Sequence, residues 1–272
     1  MPEVYRIQHR ASSSMSSYFF FSDAHLGSAA RDDDQHRQEK VLDFLDHVRQ
    51  HGAGLYIVGD LLDFWFEYRH VIPSSNFPVL AKLYELSRAG ISIDYLAGNH
   101  DLWLGSFLEN QVGVRVHHEG IVRTLHGHKC FIVHGDGTAA RDSGYRFMKR
   151  VFKNPFNIFL FRWLHPDLGV KLAKSLSYTS RQARESHYTW EADYQAYACA
   201  RFAEGFDTVI MGHTHKPISE SMGEHHFINL GDWMDHFTYC ELDAKGPILR
   251  RWPHGEPFET ATQRHQLADS HV

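Results

Sequence analysis

The sequence predicts an α/β protein: a sandwich of two sheets flanked by helices, with a helical segment inserted late in the chain. Three observations lead there. Apolar, β-branched runs alternate with helical patterns between residues 18 and 97, the signature of parallel strand–helix–strand units. Short polar motifs stand at the carboxyl ends of these runs, where open α/β sheets keep their ligands. From Asp142 to roughly Gly205 the pattern is almost purely helical, and strands resume after it.

The elements follow in order. Tyr18 to Ser22 reads as the first strand and ends at Asp23. Gln35 to Gln50 places Val41, Leu42, Leu45 and Val48 on one face of a helix that crosses to the next strand, Leu55 to Val58. Phe77 to Arg88 is a second helix, with Val79, Leu80, Leu83 and Leu86 apolar, and Ile91 to Ala97 is the strand that follows. Val114–Val116, Gly120–Leu125 and Lys129–Val133 are short strands joined by glycine-containing turns. In the helical segment, Trp190, Tyr194, Ala198 and Arg201 share a face. Thr208–Met211, Phe227–Leu230 and Thr238–Leu242 return to strand. The expected plan is a flexible leader over 1–16, a core over 17–140 and 205–252, an insertion over 141–204 and a loosely ordered tail over 253–272.

Composition narrows the class. Of 272 residues, 43% are hydrophobic and 22% charged, enough for a substantial globular core. A net charge of −5 gives no hint of a nucleic-acid partner, and nothing implies an obligate protein partner. The charge is uneven, however. Arg141 to Arg184 holds ten Lys or Arg against two Asp, so a basic segment is grafted onto an acidic body and suits an anionic ligand. Cys130, Cys199 and Cys240 lack metal spacing and sit in apolar or helical stretches, so they read as buried reduced thiols, which favours the cytosol. No apolar run is long enough to span a bilayer, and Tyr18-Phe19-Phe20-Phe21 is too short for a secretory core.

Five motifs carry chemistry: Asp23-x-His25, Gly59-Asp60-x-x-Asp63, Gly98-Asn99-His100-Asp101, His134-Gly135-Asp136 and Gly212-His213-Thr214-His215. Taken singly, each has a bland explanation as a capped turn, a polar loop or a chance His-x-His. Five in order, each closing an apolar strand, are a joint signal. Asp23 and His25 are two apart on extended chain, so their side chains point the same way and can share one ion. Aspartate, asparagine and imidazole suit Mn²⁺, Fe²⁺, Zn²⁺ or Mg²⁺ rather than a thiolate-loving metal. Asp60 has the position of a bridge between two such ions, which sit about 3.5–4 Å apart in phosphoester-cleaving sites.

In this order and spacing the motifs resemble the calcineurin-like metallophosphoesterases, over residues 23 to 215. The resemblance implies a two-sheet sandwich flanked by helices and a two-metal phosphoester hydrolase. It gives the first ion Asp23, His25, Asp60 and His215, and the second Asp60, Asn99, His134 and His213, with Mn²⁺ the expected metal. It gives His100 the task of stabilising phosphate charge or protonating the leaving oxygen, with Asp101 orienting its ring.

The insertion points further. Phe147, Met148, Val151, Phe152, Phe156, Ile158, Phe159, Leu160, Phe161, Trp163 and Leu164 are interleaved with Lys149, Arg150, Lys153 and Arg162. With Leu61-Leu62-Asp63-Phe64-Trp65, this segment is similar to the helical lid of the UDP-2,3-diacylglucosamine hydrolases of lipid A biosynthesis. Taken one by one, the side chains are better explained as the insertion's own small core; the segment as a whole, basic and aromatic together, suits an anionic lipid or the membrane interface. By the same resemblance Asp142 and Ser180 match substrate-contacting positions, beside Asn99, His100 and His213, and Arg184 and His187 are further candidates. The sequence departs from that group at His100, where the best-known lipid A enzymes carry Arg.

The leading expectation is therefore cleavage of the pyrophosphate of a nucleotide-sugar lipid, UDP-2,3-diacylglucosamine, in the cytoplasm at the surface of the inner membrane. A phosphodiesterase acting on another nucleotide or lipid phosphoester is the alternative. A metal-free scaffold of the same fold is disfavoured because every expected ligand is present. Asp232, near His215, reads as a turn cap.

Overall fold

The computed structural model describes residues 16–28, 31–138, 143–173 and 190–258. Two sheets stack face to face with helices outside them, the architecture expected from the sequence. Strands β1 (Ser17–Phe21), β2 (Gly52–Val58), β3 (Ser92–Leu96) and β4 (Arg115–His117) run parallel, connected in sequence through α1 (Arg31–His51) and α2 (Phe77–Arg88). The second sheet contains β5 (Ile121–Leu125), β6 (His128–Val133), β7 (Thr208–Met211), β8 (Pro217–Met222) and β9 (His225–Leu230), in the order β5-β6-β7-β9-β8. The chain then returns to the first sheet as β10 (Thr238–Asp243), β11 (Gly246–Arg251) and β12 (Glu256–Pro257), giving the order β12-β11-β10-β1-β2-β3-β4.

Strands buried on both faces must be apolar throughout, and β1 shows how the two faces divide. Phe19 and Phe21 point toward α1 and α2, where Phe44, Val48, Val79, Leu83 and Leu86 join them. Phe20 points between the sheets, onto Tyr56, Val58, Ile132, Ile210 and Leu230. Buried Cys130 and Cys240 lie in that middle layer, where burial pushes both thiols up, Cys130 to about 12. Cys199 departs from expectation: on the helix Trp190–Ala203 it sits one residue past inward-facing Ala198 and is exposed.

The insertion is narrower than the sequence suggested. Among the described residues it comprises α3 (Ser143–Phe152), α4 (Pro155–Arg162) and helical turns over 166–173 (α5). The last helix of the expected insertion, α6 (Trp190–Ala203), belongs to the core instead. Its Tyr194 and Ala198 pack on Val209, Met211 and Phe227 and form the fourth layer, because the outer face of the second sheet is apolar and needs a cover. The expected loose tail from Pro253 includes ordered chain at its start. Glu256 and Pro257 pair with Arg251 and Arg250, so the sheet continues past that point. The expected leader (all but its last residue), the tail beyond 258 and the candidates Asp142, Ser180, Arg184 and His187 lie outside the described residues.

Candidate dinuclear metal centre

Strands β1, β2, β6 and β7 all deliver their carboxyl ends to one edge of the sandwich. Beyond the strands proper the chain stays knitted: the Asp23 amide donates to the Gly59 carbonyl (3.1 Å) and the His25 amide to the Asp60 carbonyl (3.0 Å). Asp23, His25, Asp60, His213 and His215 all adopt left-handed backbone, with φ of 54°, 44°, 53°, 72° and 61°. For residues with a Cβ each such conformation costs on the order of 1 kcal/mol, and it turns a chain leaving a strand sharply enough to aim its side chain across the strand ends. Gly98 makes room: a Cβ there would collide with the Asp60 carboxylate and amide.

The result is a buried cluster. Asp23, His25 and His215 converge, with the two imidazole Nε2 atoms 3.2 Å apart and His215 Nε2 3.4 Å from Asp23 Oδ1. Asp60, His134 and His213 form a second group, with His134 Nε2 3.3 Å from His213 Nδ1 and 3.4 Å from Asp60 Oδ2. The Asn99 amide oxygen is 3.3 Å from His134 Nε2. Asp60 Oδ2 also lies 3.8 Å from His25 Nε2, which puts this carboxylate between the two groups.

These residues fit divalent ions. Nitrogens facing each other at 3.2–3.3 Å match ligands held about 2.1 Å from one ion. Asp23 Oδ1 is buried and accepts no hydrogen bond among the described residues, an arrangement that costs energy unless a cation meets it. The His134 Nδ1 lies 2.8 Å from the Val58 carbonyl; a carbonyl only accepts, so Nδ1 donates and Nε2 is turned to the cluster as a ligand.

The charges agree. Burial opposes the Asp60 carboxylate, yet His134, His100 and His25 hold its pKa well below the usual range. Burial likewise opposes a charge on His25 and His134, and the surrounding carboxylates overcome it, raising them to about 9 and about 10. Burial with the neighbouring His25 takes His215 down to about 4.

One expected contact is absent. Asp101 does not orient His100: its carboxylate accepts from the Tyr95 hydroxyl (2.5 Å) and the Gly98 amide (2.7 Å), and so fixes the turn that carries Asn99 and His100. His100 is instead held by Asp63. Its Nδ1 is 3.0 Å from the Asp63 carbonyl and 3.4 Å from Asp63 Oδ1, and its amide donates to Asp60 Oδ1 (2.8 Å). Asp63 also lies 3.6 Å from His25 Nδ1. Asp63 stands in the second sequence motif without an expected role, and its three-residue spacing from Asp60 is the one sequence signal for it. Asp232 caps a turn, accepting from the amides of Met234, Asp235 and His236.

The helices of the insertion dock beside this centre. Asp136 Oδ2 accepts from both Tyr145 Oη and Lys149 Nζ at 2.6 Å. Trp103 Nε1 donates to the Phe152 carbonyl, and the Phe161 ring sits 4.8 Å from Phe66 and 5.3 Å from Trp103. Most of the remaining apolar residues do not form a core of their own. Phe147, Val151, Phe156, Phe159, Leu160 and Trp163 are exposed, Trp163 by 78%, and Arg150, Arg162 and Lys171 are exposed among them. An apolar patch of this kind on a monomer marks a binding surface.

A family described as calcineurin-like phosphoesterase matches residues 17–217. Curated relatives named UDP-2,3-diacylglucosamine hydrolase include one from Porphyromonas gingivalis, 33% identical over 86% of this chain and 97% of the relative. Another from Pseudomonas putida is 30% identical over 83% and 97%, and one from Pectobacterium carotovorum is 32% identical over 78% and 90%.

Proposed function

The chain belongs to the calcineurin-like phosphoesterase family, and from that premise we propose that it cleaves the pyrophosphate of UDP-2,3-diacylglucosamine, giving UMP and 2,3-diacylglucosamine 1-phosphate. The observation that carries this reading is the juxtaposition of the buried Asp–His cluster with a docked insertion whose outer face is apolar and basic. Phosphoester cleavage accounts for the first and a diacylated, anionic substrate for the second. Relatives bearing that name over nearly their whole length support it.

Asp23, His25, Asp60 and His215 would hold one divalent ion, and Asp60, Asn99, His134 and His213 the other, with Mn²⁺ the first candidate and Fe²⁺, Zn²⁺ or Mg²⁺ the alternatives. When bound, such ions polarise phosphoryl oxygens and lower the pKa of water. The remaining work falls to side chains. Asn99 and His213 offer polar contacts to the phosphoryl oxygens. His100, held at Nδ1 by Asp63, presents its other nitrogen to donate a proton to the leaving oxygen or to stabilise charge on the phosphate. Phe147, Val151 and Leu160 supply surface for acyl chains, and Arg150 and Arg162 supply positive charge.

Among the described residues no helix is long and apolar enough to cross a membrane. The exposed aromatic and basic face of the insertion supports a peripheral position on the cytoplasmic surface of the inner membrane.

His100 favours a second reading. The best-known lipid A enzymes carry Arg at this position, so a phosphodiesterase for a different nucleotide or lipid phosphoester is the alternative. Incubating the Mn²⁺-loaded protein with UDP-2,3-diacylglucosamine in detergent, beside a chromogenic phosphodiester, separates the two. UMP release that collapses in Asp60→Ala is the expected result. Cleavage of the chromogenic diester alone would overturn the lipid A assignment and leave the phosphoesterase.

A further inference from the structure

A cleft of about 400 Å³ opens against His134, and none of the exposed apolar side chains of the insertion lines it. Its lining includes the rings of Phe131 and Tyr197 and the polar groups of His118, Glu119 and Lys149. We propose that this cleft seats the nucleoside half of the substrate, with Glu119 accepting from ribose or base and the aromatic wall against the ring. The assignment rests on the reading of the protein as a hydrolase of a nucleotide-linked lipid.

Three observations carry it. His134 belongs both to the metal cluster and to the cleft, so a group in the cleft is adjacent to a phosphoryl group held at the cluster. The volume lies within the range of about 300–1,000 Å³ usual for small-ligand sites. The chemistry of the lining also selects between the two halves of the substrate. An alkyl chain there would lie against the Glu119 carboxylate and the Lys149–Asp136 ion pair without offering either a hydrogen bond, whereas a base and ribose carry donors and acceptors for them. The exposed side chains Phe147, Val151, Phe159 and Trp163 are not part of the lining, and they leave the apolar half its own surface.

The polar groups are available for this role. Among the described residues Glu119 is paired only with Lys153, at 3.4 Å and in an exposed setting, a contact of small net worth that a hydroxyl or imide donor can displace. Burial and the nearby Lys153 lower the pKa of His118, so its imidazole is neutral and offers one donor and one acceptor to a base edge. Lys149 is fixed by Asp136, which holds a positive charge beside the path from the cleft to the cluster.

Calorimetric titration of UMP and of inorganic phosphate into the Mn²⁺-loaded protein tests the assignment without requiring turnover. UMP should bind more tightly than phosphate, and that advantage should shrink about tenfold in Glu119→Gln, an exposed position where the fold is not at risk, and in Tyr197→Ala. A UMP affinity no better than that of phosphate in the unaltered protein would overturn it, as would an advantage that both variants keep. Failure to release UMP from UDP-2,3-diacylglucosamine is a separate result and counts against the broader reading, since UMP binding is measured independently of it.

Discussion

His100 Nδ1 sits 3.0 Å from the backbone carbonyl of Asp63, and the carboxylate of the same residue stands 3.4 Å away. One residue thus fixes the ring of the expected proton donor through two acceptors. Since Asp63 also lies 3.6 Å from His25 Nδ1, it buttresses His100, the proposed proton donor, and a metal-ligand candidate together.

Asp63→Asn keeps the carbonyl contact and removes the charge. With saturating Mn²⁺, kcat should fall about 10–100-fold while KM changes little. His100→Ala should cost more, about 10²–10⁴-fold. Metal content measured on the same samples distinguishes loss of ring positioning from loss of the ion. An unchanged kcat in Asp63→Asn would remove the carboxylate's part in positioning the ring.

Chelation should abolish turnover, and restoring Mn²⁺ should raise the melting temperature, because an ion bound only by the folded state adds about 2.7 kcal/mol at a hundredfold excess over its Kd. The apparent affinity should tighten as pH rises from 6 to 9. Burial opposes charge on His25, yet the carboxylates keep its proton on up to about 9, and an ion must displace that proton to bind. Titrating Mn²⁺ at several pH values gives the slope directly.

Asp136 ties the insertion to the strand end that carries His134, through Tyr145 and Lys149. Asp136→Asn weakens both bonds and should loosen α3. Limited proteolysis between residues 143 and 173 should accelerate several-fold, and KM for a lipid substrate should rise more than KM for a small diester. Equal shifts for both substrates would mean that the tie serves the metal centre rather than the insertion.

Asp94 is fully buried and accepts from Arg115, Arg123 and His117 at 2.6–3.1 Å. Burial opposes its charge, and these partners overcome it and lower its pKa below 3.8. A carboxylate with a depressed folded pKa contributes stability above the unfolded value and loses it as pH falls through the folded one. Asp94→Asn should therefore cost about 2–3 kcal/mol at pH 7, less than for a wholly buried pair because Arg115 and Arg123 reach solvent. The gap from the unaltered protein should narrow below pH 3.8, as urea denaturation at both pH values would show.

Much of the fold was legible because its central strands are buried on both faces and read as continuous apolar runs. β7 and α2 fall where the pattern places them, and β1, β2, β3 and β6 differ by a few residues at their ends. β8, Pro217-Ile-Ser-Glu-Ser-Met, was missed because an edge strand paired only with β9 needs no such run. β11 and the two-residue β12, which close one end of the other sheet, also lack a continuous apolar run: Gly246-Pro-Ile-Leu-Arg-Arg is only partly buried and Glu256-Pro257 is exposed. Helical periodicity identified the inward face of α6 through Tyr194 and Ala198, but it cannot say which surface a helix covers, and α6 covers the core.

The sequence by itself determined that parallel strand–helix–strand units build the first sheet and which polar residues stand at the strand ends, since a residue that closes an apolar strand is placed by the strand. Tertiary structure alone decided which group holds which. Asp101 follows His100 directly in the chain, but adjacent side chains on a tight turn point apart, and its carboxylate turns inward to Tyr95. Asp63, 37 residues away, reaches His100 because β2 and β3 lie side by side and bring their terminal loops together. The outward apolar face of the insertion was decided at the same level, because a run of phenylalanines reads alike whether it fills a core or meets a ligand.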